Sequence, residues 1–320
     1  MLHSDATASR ARTLPGIHPD ATALVGRTPL VELSRFAPGS SARLVGKLEM
    51  RNPGGSVKDR LAVALIDDAE RRGVLKPGGT IVEATGGNTG IGLALVAAIR
   101  GYRLVLTMPE SMSLERVALL RQLGAEIELT PGILIVDALR RAREITAATP
   151  DAVMLDQTNN PANPEVHRLF TGPEIWGDTA GAVDVFVAGV GSGGTITGVG
   201  EALKARKSSV RVVAVEPAGA ALLSGGEPGH HQMPGIGVGF IPRVLNRAIL
   251  DEVIAVSDQD AFAAARRLAR TEGIIAGVSS GAALHAALAI AARPESADRM
   301  IVVMIPDTGE RYITTSLFSK

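Results

Sequence analysis

The sequence predicts an α/β protein of two three-layer domains, each a mostly parallel sheet covered by helices, with a cleft between them. Two observations carry this. Short apolar runs alternate with helix-patterned segments at close spacing, as along residues 80–129, which is how strands joined by crossover helices read. That rhythm pauses at the Asn/Pro-rich stretch 156–164 and then resumes, marking a joint between two units. The expected division is a disordered leader at 1–20 and an N-terminal domain at 21–160 with a smaller mobile subdomain at about 51–155. A larger C-terminal domain takes 161–320.

Each element follows from local chemistry. Residues 26–33 read as a turn and a short strand, and 43–49 as a second strand. Pro53-Gly54-Gly55 turns sharply into a helix-patterned segment that Lys58 opens and that runs to Arg72. Lys76-Pro77-Gly78-Gly79 is a turn before a strand at 80–84, which ends in the glycine-rich stretch 85–90. Helices at 91–100, 113–123 and 137–147 then alternate with strands at 102–108 and 126–129. Past the joint come strand 183–188, helix 195–206 and strand 211–215, then a glycine-rich loop at 224–239. A strand at 252–256, helices at 258–272 and 281–292, and an apolar strand at 300–305 finish the chain.

Composition removes several function classes. The 320 residues carry 33 basic and 33 acidic side chains and only 3% aromatics, so nothing favours nucleic acid. Cysteine is absent, which rules out disulfides and thiolate sites and suits a cytoplasmic enzyme. The polar first nineteen residues lack the apolar core of a secretory signal. No apolar run reaches the roughly 20 residues that span a bilayer, so no membrane contact is expected. Neighbours such as His230 and His231 point apart, so no metal is expected.

Three loops and one lysine carry candidate chemistry. Lys58 falls near a helix N-terminus with Arg60 close by, a setting that disfavours the ammonium form and permits Schiff-base chemistry. The run Gly189-Val190-Gly191-Ser192-Gly193-Gly194-Thr195 joins a strand to a helix. Its backbone N–H groups and hydroxyls suit one compact phosphate. The same run holds Gly-x-Gly-x-x-Gly, with Glu216 at the end of the next strand, so a dinucleotide site fits equally well. A purely structural turn is the third reading. The loop Thr85-Gly86-Gly87-Asn88-Thr89-Gly90 can receive a carboxylate or simply cap a helix. Ser279 and Ser280 read as cap residues before a helix, Gln157 as a surface amide, and Asp307 and Glu310 as solvated turn residues.

Taken together, these stretches resemble the cysteine synthase (O-acetylserine sulfhydrylase) family of pyridoxal-phosphate enzymes, fold type II. The resemblance rests on Gly26-Arg27-Thr28-Pro29-Leu30, Asn52 to Arg60, Gly87-Asn88-Thr89-Gly90-Ile91 and Asn159-Asn160-Pro161-Ala162-Asn163-Pro164. Thr171-Gly172-Pro173-Glu174-Ile175-Trp176, Gly191 to Thr195, Ser279-Ser280-Gly281 and Gly309-Glu310-Arg311-Tyr312 extend it over about residues 21–318. It implies pyridoxal 5'-phosphate as cofactor and a single phosphate at the glycine loop. By position, it implies Lys58 as the Schiff-base lysine and Asn88 on the cofactor's ring oxygen. Gly191, Ser192, Gly193, Gly194 and Thr195 would surround the phosphate, and Ser279 would meet the pyridine nitrogen. Thr85, Gly86, Gly87, Thr89 and Gln157 would hold the substrate carboxylate, with Gly235 and Gly237 lining the cleft.

The implied reaction is β-replacement on O-acetyl-L-serine, or O-phosphoserine, with sulfide, giving L-cysteine through an α-aminoacrylate. A neutral serine at the pyridine nitrogen does not force ring protonation as an aspartate would, which favours loss of the β-substituent. The resemblance also implies a homodimer, a small domain that closes over substrate, and a possible complex with serine acetyltransferase. Alternatives are cystathionine β-synthase-type chemistry, a nicotinamide-dependent oxidoreductase, and a catalytically weak regulatory relative. The chain departs from the family pattern at Gly86, where serine is typical, and at Thr158, where phenylalanine often stands. Ile133-Leu134-Ile135-Val136 replaces a glycine-containing segment. All three bear on the donor and the nucleophile.

Overall fold

The computed structural model describes residues 16–132 and 135–318. Most of the expected leader, residues 1–15, and Ile133 and Leu134 of the departing run lie outside the described residues.

The first half of the chain runs β1 (Leu30–Glu32), β2 (Arg43–Leu48), α1 (Lys58–Arg71), β3 (Thr80–Ala84), α2 (Asn88–Arg100) and β4 (Arg103–Pro109). It continues α3 (Leu114–Gln122), β5 (Glu126–Thr130), α4 (Ile135–Ala148) and β6 (Ala152–Met154). The second half runs α5 (Ala162–Val166), α6 (Gly172–Asp178), β7 (Val183–Gly189), α7 (Gly194–Lys204) and β8 (Arg211–Pro217). It ends β9 (Glu252–Val256), α8 (Asp258–Glu272), α9 (Val278–Ala291) and β10 (Met300–Ile305).

Two sheets result. The larger has order β1-β2-β10-β7-β8-β9 and the smaller β5-β4-β3-β6. Among the ladders of the described strands, β1–β2 is antiparallel and the others are parallel. Parallel strands covered on both faces read as continuous apolar runs, and β10 shows this, with all six residues of Met-Ile-Val-Val-Met-Ile buried. Burying each such side chain stabilises the fold by about 1.5–3 kcal/mol. Helices α8 and α9 cover one face of the large sheet, around Phe262, Leu268 and Leu284. Helix α7 and Ile175 of α6 cover the other. In the smaller sheet α1, α2 and α3 pack one face and α4 the other.

The smaller sheet comes wholly from residues 80–154, whereas the larger takes strands from both sides of that segment. A cut at residue 160 therefore does not follow the sheets. Strand β2 pairs with β10 from Arg43↔Met300 to Leu48↔Ile305, so residues 30–48 belong to the large sheet. Where a strand ends up depends on which apolar edge it completes, not on chain order.

A buried ion network ties β2, α1 and α6 together. Lys47, fully buried, donates to the Thr28 carbonyl at 2.6 Å and lies 2.9 Å from Glu174. Arg60 bridges Glu49 and Glu174, each at 2.7 Å. Burial alone would raise the Glu174 carboxyl, but Arg60 and Lys47 outweigh it and hold it at about 2. Removing one partner from such a network costs about 3–5 kcal/mol.

Candidate active site

In open α/β sheets, ligands bind beyond the carboxyl ends of strands where strand order reverses. Both sheets have such a point. In the large sheet it lies between β7 and β10, and the glycine loop follows β7 while Asp307 follows β10. In the small sheet it lies between β3 and β6, and Thr85-Gly86-Gly87 follows β3 while Gln157 follows β6. A cleft of about 570 Å³, counting its open mouth, is lined by Lys58, Asn88, Gly191, Ser192, Gly193, Thr195, Gly235, Ser279 and Asp307.

Lys58 is the first residue of α1, and its N–H donates to Ser56 Oγ at 3.2 Å. It is half-buried and lines the cleft. Burial draws its ammonium down from 10.5 to about 8, and the charge of Asp307 works in the opposite direction. Desolvation is therefore the chief cause of the lowered amine, where the sequence points to the helix N-terminus with Arg60 nearby. Arg60 points its guanidinium at Glu49 and Glu174.

The glycine loop forms a cradle at the start of α7. Gly193 caps the helix with φ +84°, a left-handed conformation that glycine adopts without strain. A Cβ there would stand 2.8 Å from Leu245 Cβ, and Cβ atoms on Gly191 and Gly194 would overlap the Gly235 carbonyl and the Asn163 amide. The backbone of this loop is thus packed closely on its neighbours, and Gly191, Ser192, Gly193 and Thr195 line the cleft at the N-terminus of α7. Ser192 receives Asn163 Nδ2 at 3.0 Å, and Thr195 Oγ1 contacts His167 Nε2 at 3.2 Å. A dinucleotide would need a carboxylate free to meet its ribose. Glu216 is committed instead to Leu223 N–H, Ser224 N–H and Ser224 Oγ, at 2.7, 3.0 and 2.6 Å.

Asn88 opens α2 and is gripped from two sides. Its Nδ2 donates to Asp307 Oδ2 at 2.7 Å, and its Oδ1 accepts from Arg311 Nη1 at 2.5 Å. Tyr312 donates its hydroxyl to the same Asp307 oxygen at 2.5 Å. Asp307 is 1% exposed, so reading it as a solvated turn residue fails: the antiparallel bridges Ser56↔Asp307 and Ala276↔Thr308 fold this turn into the interior. The serines also differ from expectation. Helix α9 begins at Val278 with Gly277 as its cap, so Ser279 and Ser280 lie inside the first turn.

The carboxylate loop stands beside this cleft and not in its lining. Gly87 N–H donates to Thr85 Oγ1 at 3.3 Å, and Thr89 Oγ1 donates to Gln157 Oε1 at 2.8 Å. Gln157 is thus half-buried and joined to the loop, not a lone surface amide. A Cβ on Gly86 would stand 2.6 Å from Met112 Sδ, so the thioether occupies the space a serine would need. Gly194 packs on Asn163, and Gly237 packs against Pro217 and His231, so neither lines the cleft. His231 donates to the Gly237 carbonyl at 2.9 Å and accepts from Met233 N–H at 3.2 Å. Among the described residues no three His, Asp or Glu side chains gather as metal ligands, and no helix is long and apolar enough to cross a membrane.

Sequence reasoning gave no role to His167, Asn163, Asp307 or Arg311. His167 is buried, and burial, then Arg60 and Lys58, push its titration well below 6.5, so it meets Thr195 and Thr171 as a neutral ring. Asn163 and Arg311 lie in stretches that carried the resemblance; that was the available signal.

The pyridoxal-phosphate dependent enzyme family matches residues 21–307. The chain is 50% identical over 313 residues to cysteine synthase A of Escherichia coli strain K12, covering 95% of this chain and 96% of that one. It superposes on cysteine synthase from Entamoeba histolytica with TM-score 0.92 at 39% identity, covering 99% and 94% of the two chains. It superposes on an O-ureido-L-serine synthase with TM-score 0.91 at 45% identity, covering 94% and 95%.

Proposed function

We infer the function from descent as well as geometry: the chain belongs to the cysteine synthase family of pyridoxal-phosphate-dependent enzymes, and it makes L-cysteine from O-acetyl-L-serine and sulfide. The observation that carries this is a half-buried Lys58, its amine lowered to about 8, lining one cleft together with the glycine loop at Gly191, Ser192 and Gly193.

When bound, pyridoxal phosphate supplies an electron sink for charge developing at the substrate Cα. The chain's own residues do the rest. Lys58 anchors the cofactor and, as a free amine titrating at about 8, takes the proton from Cα and later returns it. Gly191, Ser192, Gly193 and Thr195, which line the cleft, would receive the phosphate through backbone N–H groups and hydroxyls. Asn88, whose amide has one N–H beyond its bond to Asp307, would serve the ring oxygen, and Ser279 would offer its hydroxyl to the ring nitrogen. Thr85, Gly86, Gly87, Thr89 and Gln157 would orient the substrate carboxylate, and Gly235 and Ile236 wall the cleft. One site serving two half-reactions gives ping-pong kinetics.

The same membership supports a homodimer working in the cytoplasm, with a small domain over residues 51–155 that closes on substrate. It also supports a complex with serine acetyltransferase, which co-elution of the two purified proteins would reveal. The test of the activity is a matrix of donors and nucleophiles on purified protein. O-acetylserine with sulfide should give the highest kcat/KM. A higher value for O-phosphoserine, homocysteine or hydroxyurea would reassign the substrate, and no product from any pair would overturn the reading.

A further inference from the structure

The carboxylate of Asp307 is the one charged group in the cleft to which the family resemblance assigned nothing. It is 1% exposed and follows β10 directly. Its two oxygens are unequal. Oδ2 accepts from Asn88 Nδ2 and Tyr312 Oη. Oδ1 is buried without a hydrogen-bond partner, and it lies so close to Gly277, the cap of α9, that a Cβ there would overlap it. Gly277 stands two residues before Ser279. A buried carboxylate oxygen with no donor costs about 1–3 kcal/mol or more, so its retention at a ligand cleft calls for a functional account.

We propose that Asp307 is a positioning residue for the cofactor: Oδ2 fixes the amide of Asn88, and the carboxylate supplies negative charge as the one acidic group among the residues lining the cleft. With Asp307 on Nδ2 and Arg311 on Oδ1, the Asn88 amide has one orientation, and its second N–H is left for the ring oxygen. The charge acts on Lys58 as well, opposing the effect of burial there. The groups facing Asp307 are Lys58 from α1, Arg116 from α3, and Arg311 and Tyr312 from the terminal turn. Burial pushes its own carboxyl up, while Tyr312, Asn88, Arg311 and Arg116 pull it back.

This proposal rests on the pyridoxal-phosphate reading, and the test separates the two. Visible spectra of the holoenzyme are recorded from pH 5 to pH 10, and cofactor affinity is measured by dialysis, for the parent, Asp307→Asn and Asp307→Ser. A parent without a visible band at any pH would overturn the functional reading and this proposal with it. Given a parental band, Asp307→Asn keeps an acceptor for Asn88 and Tyr312 but loses the charge. It should hold the cofactor while the pH at which the protonated band disappears falls by about one unit or more, the shift usual for a neighbouring charge. Asp307→Ser loses the contact too, and cofactor affinity should fall about tenfold, as loss of a charge-assisted hydrogen bond does. Parental band positions, pH response and cofactor affinity in both variants would overturn the proposal and leave the cysteine synthase reading intact.

Discussion

Gly193→Ala tests the phosphate cradle where its geometry is most exacting. Gly193 caps α7 with φ +84°, and an added Cβ would stand 2.8 Å from Leu245 Cβ and 3.2 Å from Leu245 Cα. An L-residue in the left-handed region gives up about 1–2 kcal/mol. The packed carbon contact belongs near 3.5–4.0 Å, so the overlap is roughly 1 Å, and overpacking of that kind costs about 1–3 kcal/mol. The sum is about 2–5 kcal/mol. The loop escapes it only by moving away from Leu245, which displaces the backbone N–H groups from the phosphate. If the strain falls on cofactor binding, Kd rises about 30-fold to a few thousandfold, at 1.36 kcal/mol per decade. The assay is cofactor Kd from visible absorbance after dialysis, with urea midpoints run beside it to catch strain taken up by the fold. Gly177→Ala, where an added Cβ meets nothing within 4 Å, is the control. Parental Kd and parental urea midpoint in Gly193→Ala would refute the reasoning.

Two further perturbations follow from buried groups. Glu83 is buried in the small sheet; burial chiefly, helped by Asp156, raises its carboxyl from 4.5 to about 7 against hydrogen bonds from Leu155 and Asp156 N–H. The folded state therefore holds a proton that the unfolded state releases between about pH 4.5 and 7, and stability falls as pH rises through that window by on the order of 3 kcal/mol. Glu83→Gln should flatten the difference between urea midpoints at pH 5 and pH 8; an unchanged difference would contradict the assignment. Gly86→Ser alone should leave the KM for O-acetylserine nearly unchanged, because displacing Met112 offsets the gained hydroxyl contact. Combined with Met112→Ala, and measured against Met112→Ala alone, the serine should lower KM about tenfold. A tenfold gain from the single variant would show that Met112 is no obstacle.

Much of the architecture was legible because parallel sheets leave strong marks. The apolar run of β10 and the start of α1 at Lys58 stand in the structure where the pattern put them. Helices α5 and α6 were not read. Their segment holds Pro161, Pro164 and Pro173, which suggest turns, yet proline is tolerated in a first helical turn, as at Pro173 in α6. Strand β6 is three residues long, too short for alternation to show. At the site, the glycine spacing alone could not separate one phosphate from a dinucleotide. The hydrogen bonds of Glu216 separate them, and those depend on a loop folding back on its own strand. Asp307 was missed for a similar reason: a carboxylate after a strand looks solvated until a neighbouring turn buries it.

The most direct measurement is to reduce the purified protein with borohydride and find the residue that carries the cofactor by peptide mass spectrometry. The account predicts loss of the visible band and a single modified peptide with the cofactor on Lys58. A Lys58→Ala protein should carry no covalent cofactor and make no cysteine. Modification of a different lysine, or a Lys58→Ala enzyme that turns over at the parental rate, would contradict it.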